Sequence, residues 1–94
     1  MLDTLTMEHW AQCLNEPFAI GDRLALRLVS VQPLGCSRPD AHRSAYSLVF
    51  LGPMQPLLPQ RIYSLCHSRL GTLAIFLVPI GPERDGMRYE AIFT

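Results

Sequence analysis

The apolar positions first fall at helical spacing and then switch to alternation. Leu5, Trp10, Cys13 and Leu14 approximate one stripe, Thr6 offers an N-cap hydroxyl, and Glu8 stands in the first turn. Thr6 to Leu14 therefore predicts a short amphipathic helix, which Pro17 ends. From Leu24 to Val31 the period becomes two, with Leu24, Leu26 and Leu28 on one face and Arg27 on the other, and this predicts the first strand. Ala45 to Leu51 sets Tyr46, Leu48 and Phe50 against Ser47, Val49 and Leu51, a strand expected to be covered on both faces and stopped by Gly52-Pro53. Gln60 to His67 and Thr72 to Val78 alternate again around the Leu70-Gly71 turn, which predicts a hairpin whose second strand is likewise expected to be buried on both faces. Asp85-Gly86 is a tight-turn signal ahead of a last strand from Met87 to Phe93.

Two stretches interrupt the strands. Gly35 to Ser44 has almost no large apolar residue and reads as an exposed loop. Pro53, Pro56 and Pro59 recur every third residue, a spacing that suits polyproline II and removes ladder donors, so this stretch reads as an extended connector. The expected fold is mainly β: a small antiparallel barrel or two-layer sandwich of about five to six strands, with one short N-terminal helix over 6–14 packed on the sheet. No repeat or linker divides the chain, and residues 1–94 are expected to form a single domain around one core.

Composition narrows the function classes. Hydrophobic residues make up 49% of the chain and charged residues 17%, against about 25% charged in an ordinary soluble protein. That balance excludes intrinsic disorder. Eight basic residues, all arginine, cancel eight acidic ones and leave no excess for phosphates, so no nucleic acid is expected as a partner. The absence of lysine removes the usual solubilising residue from the surface. The longest apolar run, Leu73 to Pro79, falls far short of the roughly 20 residues of a membrane span. Met1 to Asn15 lacks the basic and apolar regions of a secretory signal, so synthesis in the cytoplasm is expected, compatible with later incorporation into an exported assembly.

Candidate chemistry is sparse. Zinc takes thiolate and imidazole, and His9, Cys13, Cys36, His42, Cys66 and His67 supply both. Their spacing forms no recognisable site: Cys-x-x-Cys is absent, and the adjacent Cys66 and His67 point to opposite sides of a strand. Cys13 and Cys66 read as small buried hydrophobes, and no metal or other cofactor is expected. Cys66, His42 or His67, and Asp40 have the types of a nucleophile, a base and an orienting acid but no catalytic spacing. The dispersed glycines make no phosphate loop, and no enzyme activity is expected. Glu90 alternates with Arg88 on the last strand, where either side chain is placed for a cross-strand ion pair or a contact with another chain.

One resemblance covers most of the chain. It is carried by Tyr46-Ser47-Leu48-Val49-Phe50-Leu51-Gly52-Pro53, by Leu58-Pro59-Gln60-Arg61-Ile62-Tyr63, by Gly71-Thr72-Leu73-Ala74-Ile75-Phe76-Leu77-Val78-Pro79-Ile80-Gly81-Pro82, and by Arg88-Tyr89-Glu90-Ala91-Ile92-Phe93-Thr94. These segments resemble a family of small bacterial proteins of uncharacterised function, from whose pattern the loop Cys36 to Arg43 departs. The family has no established catalytic residues. Its members are associated with phage tail-collar-like fibre proteins, and that association implies an accessory or assembly role. The expected function is thus a non-enzymatic interaction or assembly domain, an accessory, cap or chaperone of a phage-tail-like or fibre-like assembly, with a protein partner or a second copy bound. A small-ligand-binding β-barrel is the alternative. The apolar stretch Gly52 to Tyr63 is the first place to look for a partner surface, and it also reads as a crossover packed on its own core. The expected partner-binding residues are Met54, Leu57, Leu58, Arg61, Tyr63, Arg88 and Glu90.

Overall fold

Alternation decides which way each strand faces, and the inward sets meet in one core. The computed structural model describes residues 6–34 and 45–93. Helix α1 spans Met7–Ala11, followed by β1 Pro17–Ile20, β2 Leu24–Pro33, β3 Tyr46–Gly52, β4 Arg61–His67, β5 Gly71–Glu83 and β6 Gly86–Phe93. The strands close into an antiparallel barrel in the order β1-β2-β3-β6-β5-β4. Of the two expected architectures, the barrel is the one adopted. The expected loop over 35–44, with Cys36, Asp40 and His42, lies outside the described residues.

The inside is filled by Leu26 and Leu28 from β2, Leu48 and Phe50 from β3, Leu65 from β4, Leu73, Ile75 and Leu77 from β5, and Tyr89 and Ala91 from β6. Each large side chain of this set contributes about 1.5–3 kcal/mol relative to exposure. The outward face of β5 corrects the sequence expectation: Thr72, Ala74 and Phe76 are exposed and Val78 is half-buried. The corresponding face of β3 is covered as expected, with Ser47 buried and Val49 and Leu51 half-buried.

β5 serves two neighbours in turn. Gly71 to Leu77 pair with β4, and from Val78 onward the strand pairs with β6, with a bulge between Pro79 and Gly81. Proline has no N–H to give a ladder, and a bulge beside it lets the strand bend from one partner to the next.

Both ends of the barrel are covered. At the Tyr46 end of β3, α1 inserts Trp10, whose Nε1–H donates to Tyr46 Oη at 2.9 Å and whose ring lies 5.9 Å from Phe93 and 6.0 Å from Phe18. At the Gly52 end, the connector 53–60 carries no ladder, as expected, and packs half-buried Leu58 on the core. There the Leu58 N–H donates to Tyr89 Oη at 3.0 Å, and the Tyr63 hydroxyl donates to the Pro59 carbonyl. The crossover reading of this segment therefore describes Leu58 and Tyr63.

α1 is shorter than the expected 6–14. Thr6 caps it through a reciprocal capping box with His9, but Asn15 takes a positive φ of 68° and its N–H leaves the helix to donate to the Leu28 carbonyl at 2.6 Å. Pro17 does more than stop the helix, because it begins β1, a strand absent from the sequence expectation.

Candidate functional site

Two arrangements stand out among the described residues: a polar cluster at the helix end of the barrel, and an apolar row on its outside.

The cluster is built where the β4–β5 hairpin tip meets the turn after α1. His67 is the last residue of β4, and the phase that buries Tyr63 and Leu65 also turns it inward, against the Phe18 ring at 4.6 Å. Its Nδ1 accepts the backbone N–H groups of Arg69 and Leu70 at 3.1 and 3.2 Å, so the ring closes the hairpin turn. That acceptor role places the ring proton on Nε2, which lies 2.7 Å from Glu16 Oε1 and donates to it. Arg69 Nη2 donates to the same oxygen at 2.5 Å and to the Gln12 carbonyl at 3.3 Å, and approaches Cys13 Sγ at 3.7 Å. Glu16 is itself held by the backbone, its carbonyl accepting from Leu28 N–H at 3.3 Å. The His67 N–H, and with it the Arg69 charge, hold the Glu16 carboxyl below the ordinary carboxylate range, against an opposing effect of burial.

Cys13, Glu16 and His67 bring one donor atom each within 4.8 Å of one another, and thiolate, carboxylate and imidazole are all zinc donors. The surroundings do not fit a metal ion. Binding through His67 Nε2 needs the ring proton on Nδ1, where it would face two backbone N–H groups. The cation of the cluster is the Arg69 guanidinium, already seated against both Glu16 and Cys13. The same tautomer leaves His67 no free nitrogen with which to act as a base toward Cys13. The cluster is a clasp: two hydrogen bonds converge on one carboxylate oxygen and tie the hairpin tip to the turn after α1.

On the outside, Ile62 of β4 and Phe76 of β5 are direct cross-strand partners, 65% and 48% exposed. Ile92, 55% exposed, stands outward on β6, the strand next to β5. Ala74 and Val78 flank Phe76 on the same face. Large apolar side chains on the regular outer face of three neighbouring strands form an unpartnered apolar row.

The structure divides the expected partner-binding residues. Met54 and Leu57 are exposed on the connector, and Arg61 is exposed at the start of β4 with its guanidinium carbon 5.3 Å from the Tyr63 ring centre. Tyr63 is buried with its hydroxyl on the connector's Pro59 carbonyl, and half-buried Leu58 packs on the core with its N–H on Tyr89 Oη, so neither faces outward, against the expectation. Arg88 Nε lies 3.7 Å from Glu83 Oε1 within its own hairpin, and half-buried Glu90 stands between Val49 and Val78. Cys66, expected in the core, is exposed, whereas Cys13 is buried as expected.

Glu16, Ile62, Phe76 and Ile92 were not singled out by the sequence. For the three apolar residues the signal was the alternation itself: fixing Tyr63, Leu65 and His67 inward fixes Ile62 outward with Ser64 and Cys66. Glu16 had none, being a single acid whose partner is 51 residues away.

An open cleft of about 630 Å³ is lined by residues of β1, β2 and the end of β3, Arg27 among them, and by Asp85. No helix among the described residues is long and apolar enough to cross a membrane. The chain belongs to the family described as a domain of unknown function, DUF6916, whose pattern matches residues 5–93. Neither a curated protein nor a solved structure matches it.

Proposed function

We propose that this protein is a non-enzymatic interaction domain that docks another polypeptide on the outward face of β4, β5 and β6, through Ile62, Phe76 and Ile92. The observation that carries this reading is the exposed Ile62–Phe76 pair, since a lone exposed apolar residue is ordinary and a paired row on regular strands is not. Large aromatic side chains such as Phe76 are enriched at interfaces. The non-enzymatic part draws support from the clasp, in which both nitrogens of His67 are bonded and neither is free to act as a base toward Cys13. The finer role, an accessory, cap or chaperone of a fibre-like or tail-like assembly, draws its support from the resemblance and from the barrel's low charge and open apolar row.

A small-ligand-binding barrel is the second reading, and the open cleft beside Arg27 and Asp85 favours it. The barrel interior is filled by side chains, so a ligand would lie in that cleft. Light scattering after size exclusion, alone and after co-expression with the product of the adjacent gene, tests the leading reading. A complex above the chain mass of 10.6 kDa that Phe76→Lys abolishes is the expected result. A strictly monomeric protein that co-purifies with nothing contradicts it.

A further inference from the structure

The β4 strand is paired along its length on one side only. Arg61 to His67 all have ladder partners on β5, but β1 meets β4 at the single pair Ala19↔Cys66. Continuing that register sets Ile20 beside Leu65, and the chain then turns away at Gly21. Among the described residues, Arg61, Ile62, Tyr63 and Ser64 therefore have no ladder partner on the β1 side. Such an edge offers backbone donors and acceptors that another extended strand satisfies. Natural edges are guarded by charges, proline or bulges, yet from Ile62 to Cys66 this one carries no charged residue and no proline.

We propose that the strand that fills this edge is β4 of a second copy of the chain, paired antiparallel about a two-fold axis at Ile62. This rests on the interaction reading above and names its partner. In that register Ile62 faces Ile62 of the second copy, and the Phe76–Ile62 pair of each copy continues into a four-residue apolar row across the joint. The edge has one cation and no anion, so the alignment of charge is decisive. The two-fold at Ile62 sets the Arg61 position opposite the uncharged Tyr63 position of the second copy, leaves each Arg61 over the Tyr63 ring of its own chain, and keeps the two arginines from facing each other. A formal net charge of zero adds no repulsion between copies. An isologous contact of this kind closes on itself and leaves no free β4 edge.

The test uses light scattering on the full chain, with thermal melts confirming that each variant is folded, as the exposure of Ile62 leads one to expect. Wild type is expected at twice the chain mass of 10.6 kDa, and Ile62→Lys and Ile62→Glu, each placing like charges across the axis, at the chain mass. Mixing the two variants sets lysine against glutamate and is expected to restore the doubled mass. Wild type at the chain mass, Ile62→Lys that keeps the doubled mass, or a mixture that stays at the chain mass each overturns the proposal. If wild type is monomeric yet joins the adjacent gene product, the second copy is wrong and the interaction reading stands. If it is monomeric and binds nothing, both fall.

Discussion

Glu16 and His67 lie 51 residues apart in sequence, yet Glu16 Oε1 and His67 Nε2 are 2.7 Å apart and join the turn after α1 to the tip of the β4–β5 hairpin. Because Arg69 closes on the same oxygen, the carboxylate is the point on which the clasp depends. Glu16→Ala leaves the buried His67 N–H without this acceptor and is expected to lower the melting temperature. Glu16→Gln keeps an acceptor oxygen and should lower it less. Thermal melts of the three proteins check the order, and equal melting temperatures would remove the clasp from the account.

The clasp also predicts a pH dependence. The folded-state carboxyl of Glu16 titrates below its ordinary value, so its contribution is fully present above the unfolded value of about 4.3 and is lost as pH falls through the lowered folded value. Melts recorded on both sides of about pH 4.3 should show wild type losing its advantage over Glu16→Gln on the acid side. A difference between the two that is constant with pH contradicts this.

Trp10 is the plug of the helix end and the single tryptophan of the chain. Trp10→Ala opens a cavity beneath α1 and removes the bond to Tyr46, with an expected loss of about 3–5 kcal/mol. That is a large share of the roughly 5–15 kcal/mol available to a domain. Denaturant titration followed by circular dichroism measures it without the lost fluorophore. A loss under about 1 kcal/mol would mean that the helix is not part of the core.

Gly86 follows the Arg84-Asp85 turn with a φ of 150°, and a Cβ there would overlap the Gly52 carbonyl oxygen. Gly21 also has a positive φ, 65°, but open space around it. Gly86→Ala is therefore expected to destabilise by more than the roughly 1–2 kcal/mol that left-handed backbone alone costs Gly21→Ala. Equal losses in denaturant titrations would contradict the close approach of the two glycines.

These elements differ in how readable they were. β2, β3, β4, β6 and the first half of β5 are legible because each has one face in the core, and burial on one face imposes alternation on the sequence, whereas the run of β5 from Pro79 to Glu83 is not, since Pro79 and Gly81-Pro82 read as turn residues. β1 was not, since Pro-Phe-Ala-Ile is too short to show a period and its proline also reads as a helix stop. The helix is shorter than its apolar stripe, which runs on through Cys13, a residue buried from the turn rather than from a further helical turn. Cys66 is small and apolar enough for a core, but the phase of its strand gives the inward side to His67. The connector divided as it did because Tyr89 and the core capture Leu58 and leave Met54 and Leu57 outside, a distinction that depends on contacts 31 residues away. Glu16 acquires its role only when the barrel closes.

The outward row on β4, β5 and β6 is the central claim, and the native mass of the protein in an extract of its own host tests it most directly. Size exclusion with immunodetection of wild type and Phe76→Lys needs no prior choice of partner. Wild type is expected to elute well above the chain mass of 10.6 kDa, and Phe76→Lys, folded by circular dichroism, to fall back to it. Wild type eluting at the chain mass, or Phe76→Lys keeping the larger mass, would contradict the account.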